Sequence, residues 1–258
     1  MTMTGLFPAV SFSQPEKIDT AMMRSIRQEE NNHSQVTMIA HNIADVCGPR
    51  LTNSPGYQKA VSWVTQILKE WGLQHAGPEA WGEFGRGWST EKSYLAMRQP
   101  YYQSFIACPV AWTNGTAKPI TAPVFLLDKL DSASIDKAGD SLKGKIIMIR
   151  SANTNLRSAF TAYSSRFSDS DLNNMHNSHM LSKEELNNLL TYFVAEYKSK
   201  LYLQSKGPVA LLSSGPSDRD GTIAVSGAPP YGKNFAAILP ELAVSREDYL
   251  KMQRLKVY

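Results

Sequence analysis

Three short runs constrain this chain more than anything else in it: Val124 to Leu127, Lys145 to Ile149 and Pro208 to Leu212 are almost wholly apolar. Runs this short, bounded by turn residues, read as buried strands, because a helix ordinarily needs about 10–12 residues. The second follows the turn Lys143-Gly144. All three are sheet signals. Between the second and third lies a polar stretch, Ser151 to Met180, and then the capping box Ser182-x-x-Glu185. From there Leu186, Leu189, Leu190, Phe193, Val194, Tyr197 and Leu201 form one helical stripe, the pattern of a helix packed on a sheet, with a partner-binding helix as the alternative. Ser213 to Pro240 is rich in Gly, Ser and Pro, with Asp220-Gly221 as the expected hairpin turn between short strands. A last helix is expected from Ser245 to about Leu255, with Glu247 and Asp248 in its first turn, where they suit the helix dipole.

Upstream the pattern is helical. From Pro15 to Cys47, Ile18, Met22 and Ile26 share a face, and a second helix capped by Ser34 carries Ile39, Ile43 and Val46 before Gly48-Pro49 stops it. The clearest helix has Ser54 at its cap and Pro55 in its first turn. Tyr57, Ala60, Val61, Val64, Ile67, Leu68 and Trp71 follow at three- and four-residue spacing, up to Gly72. One face of it is expected to be buried. Leu73 to Pro119 is aromatic-rich and punctuated by Gly and Pro, which fits short strands and long connections. The aromatics from Trp81 to Trp112 admit a carbohydrate-binding surface, and core packing explains them as readily.

Charge removes one class of partner. The balance of 27 Lys+Arg against 23 Asp+Glu is scattered along the chain and not gathered into a stripe, so no nucleic-acid surface is expected. No apolar run approaches the ~20 residues of a membrane span, so no membrane partner is expected either. Gly5 to Gln14 is apolar and then small, as at the end of a secretory signal peptide, but lacks a basic start and a full apolar core. A signal remnant and a mobile tail, residues 1–14, are the two readings. Cys47 and Cys108 sit among apolar neighbours and read as buried free thiols, with a single disulfide as the alternative.

A search for chemistry finds no autonomous active site. His176-x-x-His179 has metal-ligand spacing, but its neighbours Asn173, Asn174, Asn177 and Ser178 look like a solvated loop. His41 and Asp45, four apart on a helix, read as a surface pair or a core hydrogen bond, while His33 and His75 stand alone. Neither H-E-x-x-H, G-x-S-x-G, a P-loop nor G-x-G-x-x-G occurs. Gly85-Arg86-Gly87 is too short for a phosphate loop, and Ser213-Ser214-Gly215 reads as a loop, not a nucleophile turn. No catalytic residue and no metal ligand is assigned.

At Ala44 to Pro55, Ala-Asp-Val-Cys-Gly-Pro-Arg-Leu-Thr-Asn-Ser-Pro, the chain resembles the D-V-x-G-P-R-L-T-G-S-P signature of metallopeptidase family 28, in the di-zinc aminopeptidase and carboxypeptidase Q-like branch. Glu70-Trp71-Gly72-Leu73 resembles the family's W-G-L turn. Glu83 to Ser89 is similar to its F-G-R-G-W-S segment, and Ala111 to Thr116 to its A-W-T-x-G-T. Leu142 to Ile147, Gly207 to Leu212 and Leu239 to Tyr249 then resemble strands and a closing helix of an inserted protease-associated domain. Asn53 stands where the family has glycine, a change that asparagine tolerates because it accepts left-handed backbone angles.

The resemblance implies an α+β or α/β fold. The N-terminal helices of a zinc exopeptidase, residues 15–120, would lead into a small protease-associated domain, 121–258. That domain would be a β-sheet or barrel flanked by helices, with a helical excursion at about 151–206. It also implies two zinc ions in the intact relative, a zinc-activated hydroxide attacking a terminal peptide bond, a glutamate moving the proton, and secreted or periplasmic peptide hydrolysis. The family's metal ligands would all lie beyond Tyr258, so this chain is expected to be the non-catalytic N-terminal portion, partnered by a missing C-terminal catalytic region, with no zinc and no activity of its own. Arg50, Arg86 and Trp88 lie in matching motifs and are the candidates for the substrate cleft. A standalone module of protease-associated type, binding a protein or peptide, is the alternative.

Overall fold

A computed structural model describes residues 18–156, 158, 160–162, 164–175, 181–215, 220–225 and 228–257, and the chain divides into two units, 1–49 and 50–258. The expected signal remnant or tail at 1–14 and the His176/His179 pair lie outside the described residues.

In the first unit, α1 (Thr20–His33) is opened by Asp19, whose carboxylate accepts from the Ala21 and Met22 N–H groups. Ile18, Met22 and Ile26 are exposed. The second helix, α2 (Val36–His41), begins after Gln35, not at a Ser34 cap. The Ser34 hydroxyl donates instead to Glu30 of the preceding helix at 2.7 Å and accepts only a long 3.4 Å contact from Val36. A π turn, Asn42–Val46, widens the helix end, and His41 meets Asp45 at 2.9 Å on the exposed surface, as the spacing predicts. His33 is not alone: it pairs with Glu29 at 2.9 Å.

In the second unit, α3 (Pro55–Glu70) starts where the sequence places it, with the Ser54 hydroxyl accepting from Tyr57 N–H and Gly72 following in a left-handed conformation. Ala60 is fully enclosed, while Val61, Val64, Ile67 and Leu68 are half-buried. The aromatic-rich stretch supplies a hairpin of β1 (Leu95–Met97) and β2 (Gln103–Phe105), and then β3 (Ala107–Pro109). Next come β4 (Val124–Leu127), α4 (Ser132–Ala138), β5 (Ile146–Ile149), α5 (Asp169–Asn174), α6 (Lys183–Ser205), β6 (Ala210–Ser213), β7 (Glu241–Val244) and α7 (Arg246–Val257).

The three apolar runs become β4, β5 and β6 of one five-stranded sheet, ordered β3-β7-β6-β5-β4. Strands β4 to β7 pair in parallel and β3 closes one edge antiparallel to β7. The sheet is open, not a barrel, with a core on each face. Ile147 and Leu211 point to one side, among Leu127, Ile135, Leu142, Leu203, Ile238 and Leu239, under α4 and α6. Met148 and Leu212, the next residues along, point to the other, among Phe105, Val244, Tyr249 and Met252, under α7 and the hairpin. Parallel strands are buried on both faces, so both neighbours in sequence must be apolar. That is why these runs show no alternation.

Three expectations need correction. First, only the C-terminal part of α6 packs on the sheet, through Tyr197, Leu201, Tyr202 and Leu203; Leu186, Leu189, Leu190, Phe193 and Val194 are exposed. At 1.5 Å per residue the helix is about 35 Å long, far longer than the four-residue strands it crosses. Second, Asp220-Gly221 turns as expected, with φ of 55° and 71°, but makes no hairpin. The strand after it, β7, runs parallel to β6, and parallel neighbours need a long crossover. Third, Cys47 is buried and free but Cys108 is exposed, because the pleat of β3 turns it away from the side taken by Ala107. Helix α4, unmarked by any apolar stripe, is opened by Asp131, which accepts from Ser134 N–H at 2.8 Å.

One ion cluster crosses the apolar layer. Lys200 of α6 lies 2.8 Å from Glu241 of β7 and 2.9 Å from Glu196, with the Lys200 and Glu241 side chains only 4% and 2% exposed. Burial pulls the Lys200 ammonium down, but the two carboxylates outweigh it and raise its pKa above the ordinary value of 10.5. Burial pushes the Glu241 carboxyl up, partly offset by Lys200 and the Ser213 hydroxyl. A raised lysine pKa adds stability that is whole below the unfolded value and lost as pH climbs through the folded one, whereas the raised Glu241 pKa opposes it above the ordinary carboxyl range, so at neutral pH the two shifts offset each other in part.

Replacing Lys200 by Met leaves Glu241 buried without its cation and is expected to cost about 3–5 kcal/mol. Glu241→Gln, which leaves Lys200 paired with Glu196, is expected to cost less. Urea unfolding of the two variants checks the order, and an equal or reversed loss would contradict a charge-pair role.

Candidate functional site

Four stretches far apart in sequence meet in the second unit, and glycine makes their approach possible. The segment Phe84-Gly85-Arg86-Gly87 runs between Asn53 on one side and Tyr231 on the other. A Cβ on Gly87 would stand 2.1 Å from the Asn53 carbonyl oxygen, and one on Gly85 would stand 2.6 Å from that of Tyr231. Both clash with backbone, which cannot swing aside. Gly85 also has φ of 126°, a conformation that side chains avoid.

Hydrogen bonds fix the junction. The Asn53 side-chain amide donates to the Gly85 carbonyl at 3.2 Å, and Asn53 takes φ of 59°, the left-handed conformation that asparagine at a glycine-like position is expected to accept. The Arg86 N–H donates to the Tyr231 carbonyl at 2.9 Å, and the Trp112 indole N–H donates to the Arg86 carbonyl at 2.8 Å. Trp112 itself has φ of 58°, rare for a bulky residue, and its half-buried ring is held by the Arg86 carbonyl and the Phe84 and Tyr231 rings. Its neighbour Thr113 bridges to Ile238, and Asn114 N–H donates to the Ile238 carbonyl at 2.9 Å. The junction is therefore continuous with the sheet core that contains Ile238.

Aromatic rings cover it. Phe84 and Tyr231 stack with centroids 4.1 Å apart, and Trp112 tilts against both at 6.1 and 5.2 Å. The two Trp112 separations are those of favourable aromatic pairs, each contributing about 0.5–1.5 kcal/mol beyond burial. Tyr231 remains 41% exposed, so part of the cluster faces water. Trp81, 93% exposed, lies outside the cluster's ring contacts.

The three cleft candidates are placed differently. The Arg86 backbone is fully engaged in the junction; its guanidinium has one long bond, 3.4 Å to the Pro230 carbonyl, and its buried Nε has no hydrogen-bond partner. Trp88 is half-buried next to Gly87, and Arg50 is exposed three residues before Asn53. Sequence reasoning missed Pro230 and Tyr231, which fall in a stretch marked only by Gly, Ser and Pro. The signal available was Pro229-Pro230-Tyr231-Gly232, an aromatic residue fixed between turn residues.

Chemically, the junction offers an apolar ring surface beside a guanidinium. Among the described residues no group of three or more His, Cys, Asp and Glu side chains could hold a metal ion. These residues do not fit a zinc site, and no metal-dependent step is derived from them. Among the described residues no helix is long and apolar enough to cross a membrane.

No known family's sequence model matches the chain, and no curated protein matches it. Among solved structures it is similar to a Peptidase M28 precursor from Shewanella amazonensis SB2B, at 18% identity and a TM-score of 0.49, over 92% of this chain and 47% of that one. It is also similar to a zinc aminopeptidase from Bacillus subtilis, at 12% identity and a TM-score of 0.46, over 84% of this chain and 40% of that one. The chain spans less than half the length of either.

Gly87→Ala is expected to push Asn53 away and to destabilise the second unit by about 1–3 kcal/mol. Gly85→Ala adds left-handed strain of about 1–3 kcal/mol to a similar clash. Thermal unfolding followed by tryptophan fluorescence checks both, since Trp112 reports on the junction. Wild-type melting of Gly87→Ala would contradict the close approach.

Proposed function

We propose that this chain is the N-terminal, cleft-shaping portion of a secreted or periplasmic zinc-dependent exopeptidase of metallopeptidase family 28, acting on peptides, with residues 15–120 opening the peptidase domain and 121–258 forming a protease-associated domain. The observation that carries it is the junction. Asn53 of the first family-like motif, Gly85 to Gly87 of the third, Trp112 of the fourth and the loop before the closing strand of the inserted domain meet at hydrogen-bond distance. Residues alike in type to a family's motifs gain weight when the fold gives them one place and one job. Here the job is shape: two glycines admit a backbone crossing that any other residue blocks.

In that role Arg86 and Trp88 face the cleft from the junction and Arg50 from the start of α3, contributing charge and an apolar wall to peptide binding. The metal ligands and the proton-transferring group belong to a catalytic region outside these residues. No zinc ion and no catalytic residue is assigned to this chain. A second reading, a standalone module that binds a protein or peptide, is favoured by one observation, the exposed apolar residues on the N-terminal part of α6.

The purified chain is expected to retain no stoichiometric zinc after dialysis and to hydrolyse no dipeptide. Joined to a family 28 catalytic region, it is expected to support activity that falls about 10-fold or more when the Arg86 guanidinium is removed, the loss for a hydrogen bond to charge of about 1.5–3 kcal/mol. Chelator-sensitive turnover by this chain alone would overturn the non-catalytic assignment. Normal activity of an Arg86→Ala fusion would remove Arg86 from the cleft. Failure of every such fusion, with peptide binding by the chain alone, would favour the module.

A further inference from the structure

Between β5 and β6 the chain makes a long excursion, and the two ends of that excursion are far better held than the described residues from 152 to 175. Every described residue from 152 to 175 is exposed, with Phe160 at 101% and Phe167 at 64%. Residues 164–168, Ser-Ser-Arg-Phe-Ser, have neither helix nor strand and end at the cap of α5. An endoprotease needs an accessible run of this kind, because its cleft takes up substrate as an extended chain that a helix or paired strand cannot present.

Both flanks are locked. Where β5 leaves the sheet, one face of α7 grips it. The Tyr249 hydroxyl accepts from Ile149 N–H at 2.8 Å and lies 2.7 Å from the Ile149 carbonyl, Gln253 bonds both the N–H and the carbonyl of Ser151, and Arg246 donates to the Ser151 hydroxyl and the Asn153 carbonyl. On the other side, Leu203, the Lys200–Glu241 pair and the Tyr197 hydroxyl on the Ala236 carbonyl fix the end of α6.

Strand order then decides what a cut would do. A break between Arg166 and Phe167 leaves β1 to β5 on one fragment and β6, β7 and the helices α5, α6 and α7 on the other. In the sheet, β7 and β6 lie between β3 and β5, so the second fragment's strands are held on both sides by the first fragment's. Both cores are mixed as well: Ile147 and Leu142 pack with Leu203 and Leu211, and Phe105 and Met148 with Leu212, Tyr249 and Met252. Neither piece leaves without breaking two ladders and two cores.

We propose that the Arg166–Phe167 bond is a processing site for a trypsin-type endoprotease, and that cleavage gives a folded two-chain form held without any covalent link. The hydrolysis consumes one water: its hydroxyl goes to the Arg166 carbonyl carbon as the peptide C–N bond breaks, and its proton goes to the Phe167 nitrogen. The new carboxylate and ammonium form in solvent, so no charge is buried. This inference stands apart from the peptidase assignment, because it rests only on exposure and strand order.

The test is a time course of the purified chain with sparing trypsin, with fragments identified by mass. Within residues 50–257, the first cut is expected after Arg166, and the two fragments are expected to elute together at the size of the uncut chain and to part only in guanidinium. Arg166→Gln, at an exposed position, is expected to slow appearance of that fragment pair by about 10-fold or more, since cleavage at exposed loops follows local access. First cleavage elsewhere in 50–257, fragments that separate without denaturant, or an unchanged rate in Arg166→Gln would each overturn the proposal.

Discussion

Strand β6 lies between two parallel neighbours and is buried on both faces, and the positions of the helices follow from that constraint. A parallel ladder cannot leave one face to water without exposing apolar side chains, since Leu211 and Leu212, neighbours in β6, point to opposite faces. Leu211 therefore requires α6 on one side and Leu212 requires α7 on the other. The connections are long because parallel strands cannot be joined by a tight turn. The excursion from Arg150 to Val209 is the consequence, and its exposed middle is the part that the sheet does not need.

Polar groups inside this layer are few and placed where chain segments change direction. Lys200 and Glu241 join α6 to β7 across the core, and neither would be tolerated there alone. Tyr249, Gln253 and Arg246, three, four and seven residues apart on α7, satisfy the backbone where β5 has run out of strand partners. Burial lifts the Tyr249 hydroxyl pKa well above its ordinary value, so it stays protonated and keeps its bonding capacity. The bonds from Tyr249, Gln253 and Arg246 thus stand in for ladder bonds that the sheet does not provide past the end of β5.

The junction of Asn53, Gly85 to Gly87, Trp112 and Tyr231 uses a different device, the absence of side chains. Two carbonyl oxygens come so close to Gly85 and Gly87 that a single methyl group would separate the segments. The stacked rings of Phe84 and Tyr231, with Trp112 against them, then seal one side. A surface shaped this way has little freedom to adapt.

Local signals were legible wherever one segment settles its own structure. Ser54 and Pro55 opened α3, Ser182 and Glu185 opened α6, and Glu247 and Asp248 marked α7, because capping depends on residues within a turn of one another. The apolar runs identified β4, β5 and β6, and the Asn53 substitution announced its left-handed backbone. Partner choice was not legible. That β3 pairs with β7, that half of α6 overhangs the sheet, that Cys108 faces water and that Tyr231 stacks on Phe84 are contacts between residues far apart in sequence. By itself the sequence determined the segments that carry their own caps and apolar runs, among them α3, α6, α7 and β4 to β6, because those choices rest on neighbours along the chain; only the tertiary structure decided which faces are covered and which motifs meet, because burial depends on what the rest of the chain brings against each segment.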